Sequence, residues 1–275
     1  MDNYFQTSDG ADIHYIEEGN GKTIILIHGW GCAAELYKYQ IKALKDKYHV
    51  IAVDLRGHGD SKTPGYGFRI SRLAKDIQEL ILHIGEEKVI LCGHSMGCSI
   101  IWSYIELFGQ DRLYKIVLID EDPVIIDFPS WTDEEREHFG GLFSAQLVFD
   151  TVSALKGDNG DAVASSLLGG LFTSDVDEET KNWAISHALK ASRSDTADLI
   201  FNHSMNDWSK VIPTIKVPTL VVGGKLSAMN YKSIEWIGSV IKNSQTFIME
   251  EKSSHFMFIE NHKEFNSALL NFLTD

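Results

Sequence analysis

Cysteine is scarce in this sequence, and its pattern excludes two common roles. Only Cys32, Cys92 and Cys98 are present, an odd number without a CxxC pair. We therefore expect neither a disulfide framework nor a cysteine-based metal site. The three thiols are expected to be small apolar fillers, kept reduced in a cytoplasmic protein.

Basic residues are also in deficit. Lysine and arginine number 25 against 39 aspartates and glutamates, which gives a formal net charge of −14, and the basic residues are scattered along the chain. Such a balance repels nucleic acid and anionic lipid. The expected partners are small molecules, with no nucleic acid and no membrane among them.

Long apolar runs and nucleotide motifs are missing too. No apolar stretch reaches the roughly 20 residues of a membrane span, and residues 1–7 are polar and acidic, unlike a signal peptide. A phosphate loop of the GxxxxGK[ST] type is absent, and Gly29-Trp30-Gly31 lacks the further spacing of a dinucleotide motif. We therefore expect no membrane segment and no cofactor.

Short apolar runs are what the sequence does contain. Residues 4–18 alternate around Asp9-Gly10, which predicts an N-terminal β-hairpin. Runs typical of strands buried on both faces follow at 22–28, 49–55, 88–92, 115–120, 219–223 and 245–249. Helical periodicity fills the gaps at 33–44, 69–84, 96–108, 231–241 and 261–272. This alternation predicts an α/β fold with a mostly parallel, doubly wound sheet.

The alternation stops between about residues 121 and 212. Helical patterns continue there, but no convincing buried strand interrupts them. We therefore predict a helical cap at 121–212, inserted after the sixth strand of a core formed by residues 1–120 and 213–275. Pro213 and Pro218 mark the return to the sheet.

A candidate nucleophile stands in the motif Gly93-His94-Ser95-Met96-Gly97. It matches G-x-S-x-G, and it lies between a predicted buried strand and a predicted helix. In such a turn the serine takes strained backbone angles, and the flanking glycines leave room for strand and helix. The order of strand, motif and helix predicts that Ser95 is a catalytic nucleophile.

From about Ile24 onward the chain resembles the α/β-hydrolase superfamily. The matching segments are HGWG at 28–31, DLRGHG at 54–59 followed by Ser61, and the serine motif at 93–97. The resemblance implies that the backbone N–H groups of Trp30 and Met96 form an oxyanion hole. It also implies a catalytic base in the loop after the last strand, where Ser253-Ser254-His255-Phe256 provides His255.

The acid of the triad departs from the commonest pattern of the superfamily. The loop that usually carries it reads Gly-Lys-Leu-Ser-Ala-Met-Asn at 224–230, without a carboxylate. A minority of the superfamily takes the acid from the end of the sixth strand, which here offers Asp120, followed by Glu121 and Asp122. We favour Asp120, with Asp122, Glu121 and the uncharged Ser227 as alternatives.

The chemistry expected of this set is acyl transfer to Ser95 followed by hydrolysis. Candidate substrate contacts are largely apolar: Trp30, Trp131, Phe139, Phe143 and Met229. The predicted activity is therefore hydrolysis of carboxylic esters of small to medium, largely apolar substrates. Lactone hydrolysis, cofactor-free perhydrolysis of the non-haem haloperoxidase kind, and a ligand receptor with slow hydrolysis stay open. The sequence leaves the oligomeric state undefined.

Overall fold

The computed structural model describes residues 2–274, so Met1 and Asp275 at the predicted domain ends lie outside it. The described chain forms ten strands. They are β1 (Asp2–Gln6), β2 (Asp12–Glu18), β3 (Lys22–Ile27), β4 (Tyr48–Val53), β5 (Val89–His94), β6 (Leu113–Ile119), β7 (Val124–Ile126), β8 (Gly140–Phe143), β9 (Thr219–Gly224) and β10 (Ser244–Met249). Eight of them build one sheet in the order β1-β2-β4-β3-β5-β6-β9-β10.

Strand direction in this sheet follows the sequence patterns. β1 and β2 pair antiparallel as the predicted hairpin, and β2 pairs antiparallel with β4. From β4 to β10 every neighbouring pair is parallel. Ile24 to Ile27 in β3 are fully buried, as expected for an apolar strand covered on both faces. The predicted α/β-hydrolase fold is confirmed.

Helices connect the strands. They are α1 (Lys38–Leu44), α2 (Ile70–Ile84), α3 (Met96–Phe108), α4 (Asp133–Phe139), α5 (Ala145–Leu155), α6 (Gly160–Gly169), α7 (Glu178–Ala188), α8 (Arg193–Ser204), α9 (Tyr231–Val240), α10 (Met257–Glu260) and α11 (His262–Thr274). Short 3-10 turns cover Ala34–Tyr37 and Ile212–Thr214. No helix within residues 2–274 combines the length and apolarity needed to cross a bilayer.

The segment between β6 and β9 is mainly helical and carries α4 to α8. Polar caps begin four of these helices: Thr132, Ser144, Asp177 and Ser192 each accept a hydrogen bond from a backbone N–H of the first turn. The expectation that no buried strand lies here was wrong, because β7 is buried. β7 and β8 form a separate two-stranded parallel sheet, and they are too short, at three and four residues, to give a clear apolar period.

Candidate active site

Ser95 occupies the turn between β5 and α3. Its backbone angles, φ 53° and ψ −127°, lie in a region that residues with a Cβ rarely adopt. A Cβ on Gly93 would approach the carbonyl of Gly97 to 2.5 Å, and one on Gly97 would approach the carbonyl oxygen of Ile27 to 2.3 Å. The two glycines of the motif are therefore required by the close approach of strand and helix.

The loop after β3 passes next to this turn. A Cβ on Gly29 would lie 2.9 Å from the Cβ of Ser95, so only glycine allows the approach. Trp30 follows, and its indole N–H donates to the carbonyl of Thr196 on α8 at 2.7 Å. Met96 is the first residue of α3, where a backbone N–H has no acceptor inside the helix. Trp30 therefore follows Gly29, which lies against the Ser95 side chain, and Met96 follows Ser95 itself.

His255 and Asp120 are in direct contact. Nδ1 of His255 lies 2.8 Å from Oδ2 of Asp120, and both side chains are buried. Asp120 directly follows β6, which pairs with β5, the strand that ends just before Ser95, and its own φ is 54°. Aspartate tolerates this left-handed region better than most residues. Ser95 and Asp120 therefore lie at the carboxyl ends of neighbouring strands.

The Asp120 carboxylate accepts further hydrogen bonds from the last residue of β9 and from the loop that follows it. The backbone N–H of Gly224 donates to Oδ1 at 3.3 Å, and the Ser227 hydroxyl donates to Oδ2. The loop at 224–230, which carries the acid in most of the superfamily, here supplies hydrogen-bond donors to Asp120 at the end of the neighbouring strand β6. Asp122, by contrast, accepts from the Ser233 hydroxyl at 2.5 Å, away from the imidazole.

The loop that carries His255 is fixed on two sides. Nε2 of His94 lies 2.9 Å from the carbonyl oxygen of His255. Burial lowers the pKa of His94 well below its usual range, so its ring is neutral and donates one proton there. On the other side, Glu260 accepts from the Ser254 hydroxyl at 2.7 Å and from the backbone N–H and hydroxyl of Thr173 at 3.0 and 2.6 Å. Glu260 therefore links this loop to the segment after α6.

Ser95 and His255 open onto one mostly apolar pocket between the sheet and the inserted helices. Its other lining residues are Gly29, Trp30, Cys32, His94, Glu121, Ile125, Leu142, Phe143, Leu167, Leu168, Leu171, Ile200, His203, Ala228, Met229 and Phe256. Three of the candidate substrate contacts, Trp30, Phe143 and Met229, are among them.

Trp131 and Phe139, the other two candidate substrate contacts, do not line this pocket. Their rings lie 5.6 Å apart in an aromatic cluster outside the pocket lining. Phe139 meets Trp236 of α9 edge to face at 5.3 Å, and Trp131 contacts Phe128 at 5.1 Å. Phe139 packs the short helix α4 against α9, which offers Trp236 as an aromatic partner.

Glu121 and His203 also line the pocket, and the sequence did not predict that they lie close together. Nε2 of His203 lies 3.6 Å from Oε1 of Glu121. Burial raises the pKa of Glu121 well above its usual range, and the Asp122 charge adds to the rise while the Ser95 hydroxyl opposes it. Burial lowers the pKa of His203 to about 4. No motif joins two residues 82 positions apart, so only the fold reveals the contact.

Comparison with known proteins agrees with this architecture. The family model described as alpha/beta hydrolase fold matches residues 22–262. The chain belongs to the α/β-hydrolase family.

Individual proteins are also similar to this chain along its full length. The chain is 27% identical to a non-heme haloperoxidase of Rhodococcus erythropolis, over 98% of each chain. It superimposes on a bromoperoxidase from Bacillus anthracis with a TM-score of 0.90 at 28% identity, and on the esterase EaEST from Exiguobacterium antarcticum with 0.91 at 25% identity. Each of these two structures is covered completely, as is this chain.

Proposed function

We propose that this protein is a serine hydrolase that cleaves carboxylic esters through an acyl-enzyme on Ser95. The observation that carries the proposal is the 2.8 Å contact between His255 and Asp120 beside a pocket that Ser95 also lines. An imidazole held by a buried carboxylate next to a serine on a strained turn is the arrangement that activates a hydroxyl for acyl transfer.

In the proposed mechanism, the Ser95 Oγ attacks the ester carbonyl carbon while His255 removes its proton. Asp120 fixes the imidazole tautomer by accepting from Nδ1–H, and its charge stabilises the imidazolium that forms. The imidazolium then protonates the departing alcohol. Water, deprotonated by the same imidazole, releases the acid and restores Ser95.

The oxyanion that forms during each step needs two fixed donors. We assign this role to the backbone N–H groups of Met96 and Trp30. The amino end of α3 carries a partial positive charge, which favours an anion at the Met96 position. One such donor contributes roughly 3 kcal/mol to the stability of a transition state of this type.

The pocket supports a substrate with a small or medium apolar body. Its walls come from both the core and the helices of residues 121–212, which we propose form a cap that selects the substrate. In this proposal residues 1–120 and 213–275 supply the catalytic groups. The partner is a small-molecule ester or lactone.

Labelling with a fluorophosphonate, followed by a panel of p-nitrophenyl esters and lactones, tests the proposal. We expect covalent labelling at Ser95 and turnover of short and medium acyl esters. Ser95→Ala is expected to lose both while it keeps a cooperative unfolding transition. Labelling that persists in Ser95→Ala, or a wild-type protein that neither labels nor turns over any ester, would contradict it.

Perhydrolysis is a second candidate because relatives across the full length carry haloperoxidase and bromoperoxidase names. Here hydrogen peroxide would replace water at the acyl-enzyme and release a peracid. The two activities share the acylation step, so the ratio of peracid to acid at equal peroxide concentrations separates them. A peracid fraction near zero would reject perhydrolysis, and ester hydrolysis would remain the proposed activity.

A further inference from the structure

One wall of the pocket carries two polar side chains that the proposed mechanism does not use. Glu121 is 2% exposed and His203 is 6% exposed, yet both line the cavity onto which Ser95 opens. Glu121 directly follows the proposed triad acid, and His203 lies on α8 of the inserted segment. The pair therefore joins the two halves of the pocket.

Their hydrogen-bonding capacity is unfilled. Neither carboxyl oxygen of Glu121 has a hydrogen-bond partner of ordinary geometry, and Nδ1 of His203 has none. The 3.6 Å between the two side chains is longer than an ordinary hydrogen bond. Buried polar atoms without partners are rare in proteins because their desolvation is not compensated. Their position at a pocket wall indicates that a ligand supplies the missing partner.

The chemistry of this wall restricts that ligand. Burial disfavours the charged form of both groups, since it raises the pKa of Glu121 and lowers that of His203, and a protonated carboxyl both donates and accepts. The surrounding wall is aliphatic, with Ile125, Leu171 and Ile200 among its members. An uncharged group that can itself donate and accept, on an otherwise apolar molecule, matches this surface.

We propose that Glu121 and His203 form a subsite that hydrogen-bonds a hydroxyl group on the acyl part of the substrate. The inference rests on the proposed ester hydrolysis and narrows its substrate class to hydroxyacyl esters. Glu121 lines the same cavity as Ser95, and it follows Asp120 at the end of β6, the strand next to β5. Since Ser95 carries the acyl group, a hydroxyl one or two carbons from the acyl carbonyl would lie near Glu121.

Pairs of isosteric esters test this subsite, because a methyl and a hydroxyl group have similar volumes. The first pair is phenyl 3-hydroxybutyrate and phenyl 3-methylbutyrate, and the second is phenyl lactate and phenyl isobutyrate. We expect kcat/KM to favour the hydroxy ester by at least about tenfold in one pair, since a site built for a hydroxyl rejects the analogue without it. Equal kcat/KM values within both pairs would overturn the proposal and leave water as the only occupant.

Variants then assign the preference to the two residues. Glu121→Leu and His203→Leu are expected to bring the ratio of hydroxy to methyl ester close to one. Glu121→Gln should retain much of the preference, because an amide still donates and accepts. Ile200→Val is the control, since it changes pocket shape without polarity and should alter both esters of a pair by the same factor. A ratio that survives in both leucine variants would overturn the assignment.

This experiment separates the two proposals. Hydrolysis of both esters at equal rates, with Ser95 labelling intact, would reject the subsite and leave the proposed function standing. Absence of labelling and of hydrolysis with every ester would reject the proposed function itself.

Discussion

Nδ1 of His255 lies 2.8 Å from Oδ2 of Asp120, although 135 residues separate them in the chain. The contact forms because β6, β9 and β10 are successive parallel strands of the sheet, so the residue after β6 and the loop after β10 meet at the same edge. The Ser227 hydroxyl, from the loop after β9, donates to the same carboxylate oxygen. Three strand ends thus converge on one carboxylate.

We predict that Asp120→Asn lowers turnover of a p-nitrophenyl ester by roughly a thousand to ten thousandfold, the range expected when the histidine loses its orienting charge. Asparagine tolerates the positive φ of this position, so the fold should persist. Steady-state kinetics with a thermal unfolding control measure the effect. Asp122→Asn is the matched variant. Loss of turnover in Asp122→Asn together with near-normal turnover in Asp120→Asn would show that Asp122, rather than Asp120, orients the histidine.

Ser227→Ala should cost much less. The variant removes one donor to the Asp120 carboxylate but leaves the carboxylate and its contact with His255 in place. A hydrogen bond to a charged group contributes about 1.5–3 kcal/mol, so we expect kcat/KM to fall by roughly ten- to a hundredfold. A loss as large as that of Asp120→Asn would show that the hydroxyl, rather than the carboxylate, orients the base.

The strain at Ser95 predicts a difference between two inactive variants. Ser95→Ala and Ser95→Gly both lack the hydroxyl and should lose activity by up to roughly a millionfold. Only glycine relaxes a backbone at φ 53° and ψ −127°. We expect Ser95→Gly to have a free energy of unfolding about 1 kcal/mol higher than that of Ser95→Ala in urea titrations. Equal stabilities would mean that the turn stores no strain.

Asp122 predicts a pH-dependent change in stability. Burial, with the Asp120 charge as a smaller cause, raises the pKa of Asp122 to about 7. The folded state therefore keeps a proton that the unfolded state releases above about pH 4, and wild-type stability from this group falls as pH rises towards 7. Asparagine does not titrate.

The stability of Asp122→Asn relative to wild type should therefore increase between pH 5 and pH 8, by about 1 kcal/mol or more. Urea unfolding at several pH values measures this difference. A difference that stays constant with pH would show that Asp122 is ionised throughout the range.

The catalytic candidates were predictable where chemistry is tied to local sequence. Gly93 is dictated by a contact with Gly97 inside one strand–turn–helix unit, which the sequence alone shows, whereas Gly97 is also dictated by Ile27 of β3. Asp120 was inferred from the lack of a carboxylate at 224–230. The structure adds its contact with His255, which the sequence could not establish because it depends on three separate strand ends.

The pocket wall was less predictable. Trp131 and Phe143 both belong to the inserted segment and are equally apolar, yet only Phe143 lines the cavity. Which aromatic faces the cavity depends on how the short helix α4 packs against α9, and that is a tertiary contact without a local signature. The unpartnered atoms of Glu121 likewise have no counterpart in composition or periodicity.

The three hydrogen bonds of Glu260 have a mechanical consequence. They join Thr173, in the inserted segment, to Ser254, which adjoins the proposed base. If the inserted segment lifts to admit a substrate, it must either break these bonds or displace the loop that holds His255. Opening of the inserted segment would therefore also displace the proposed base, His255. The open form would be inactive until the segment closes again.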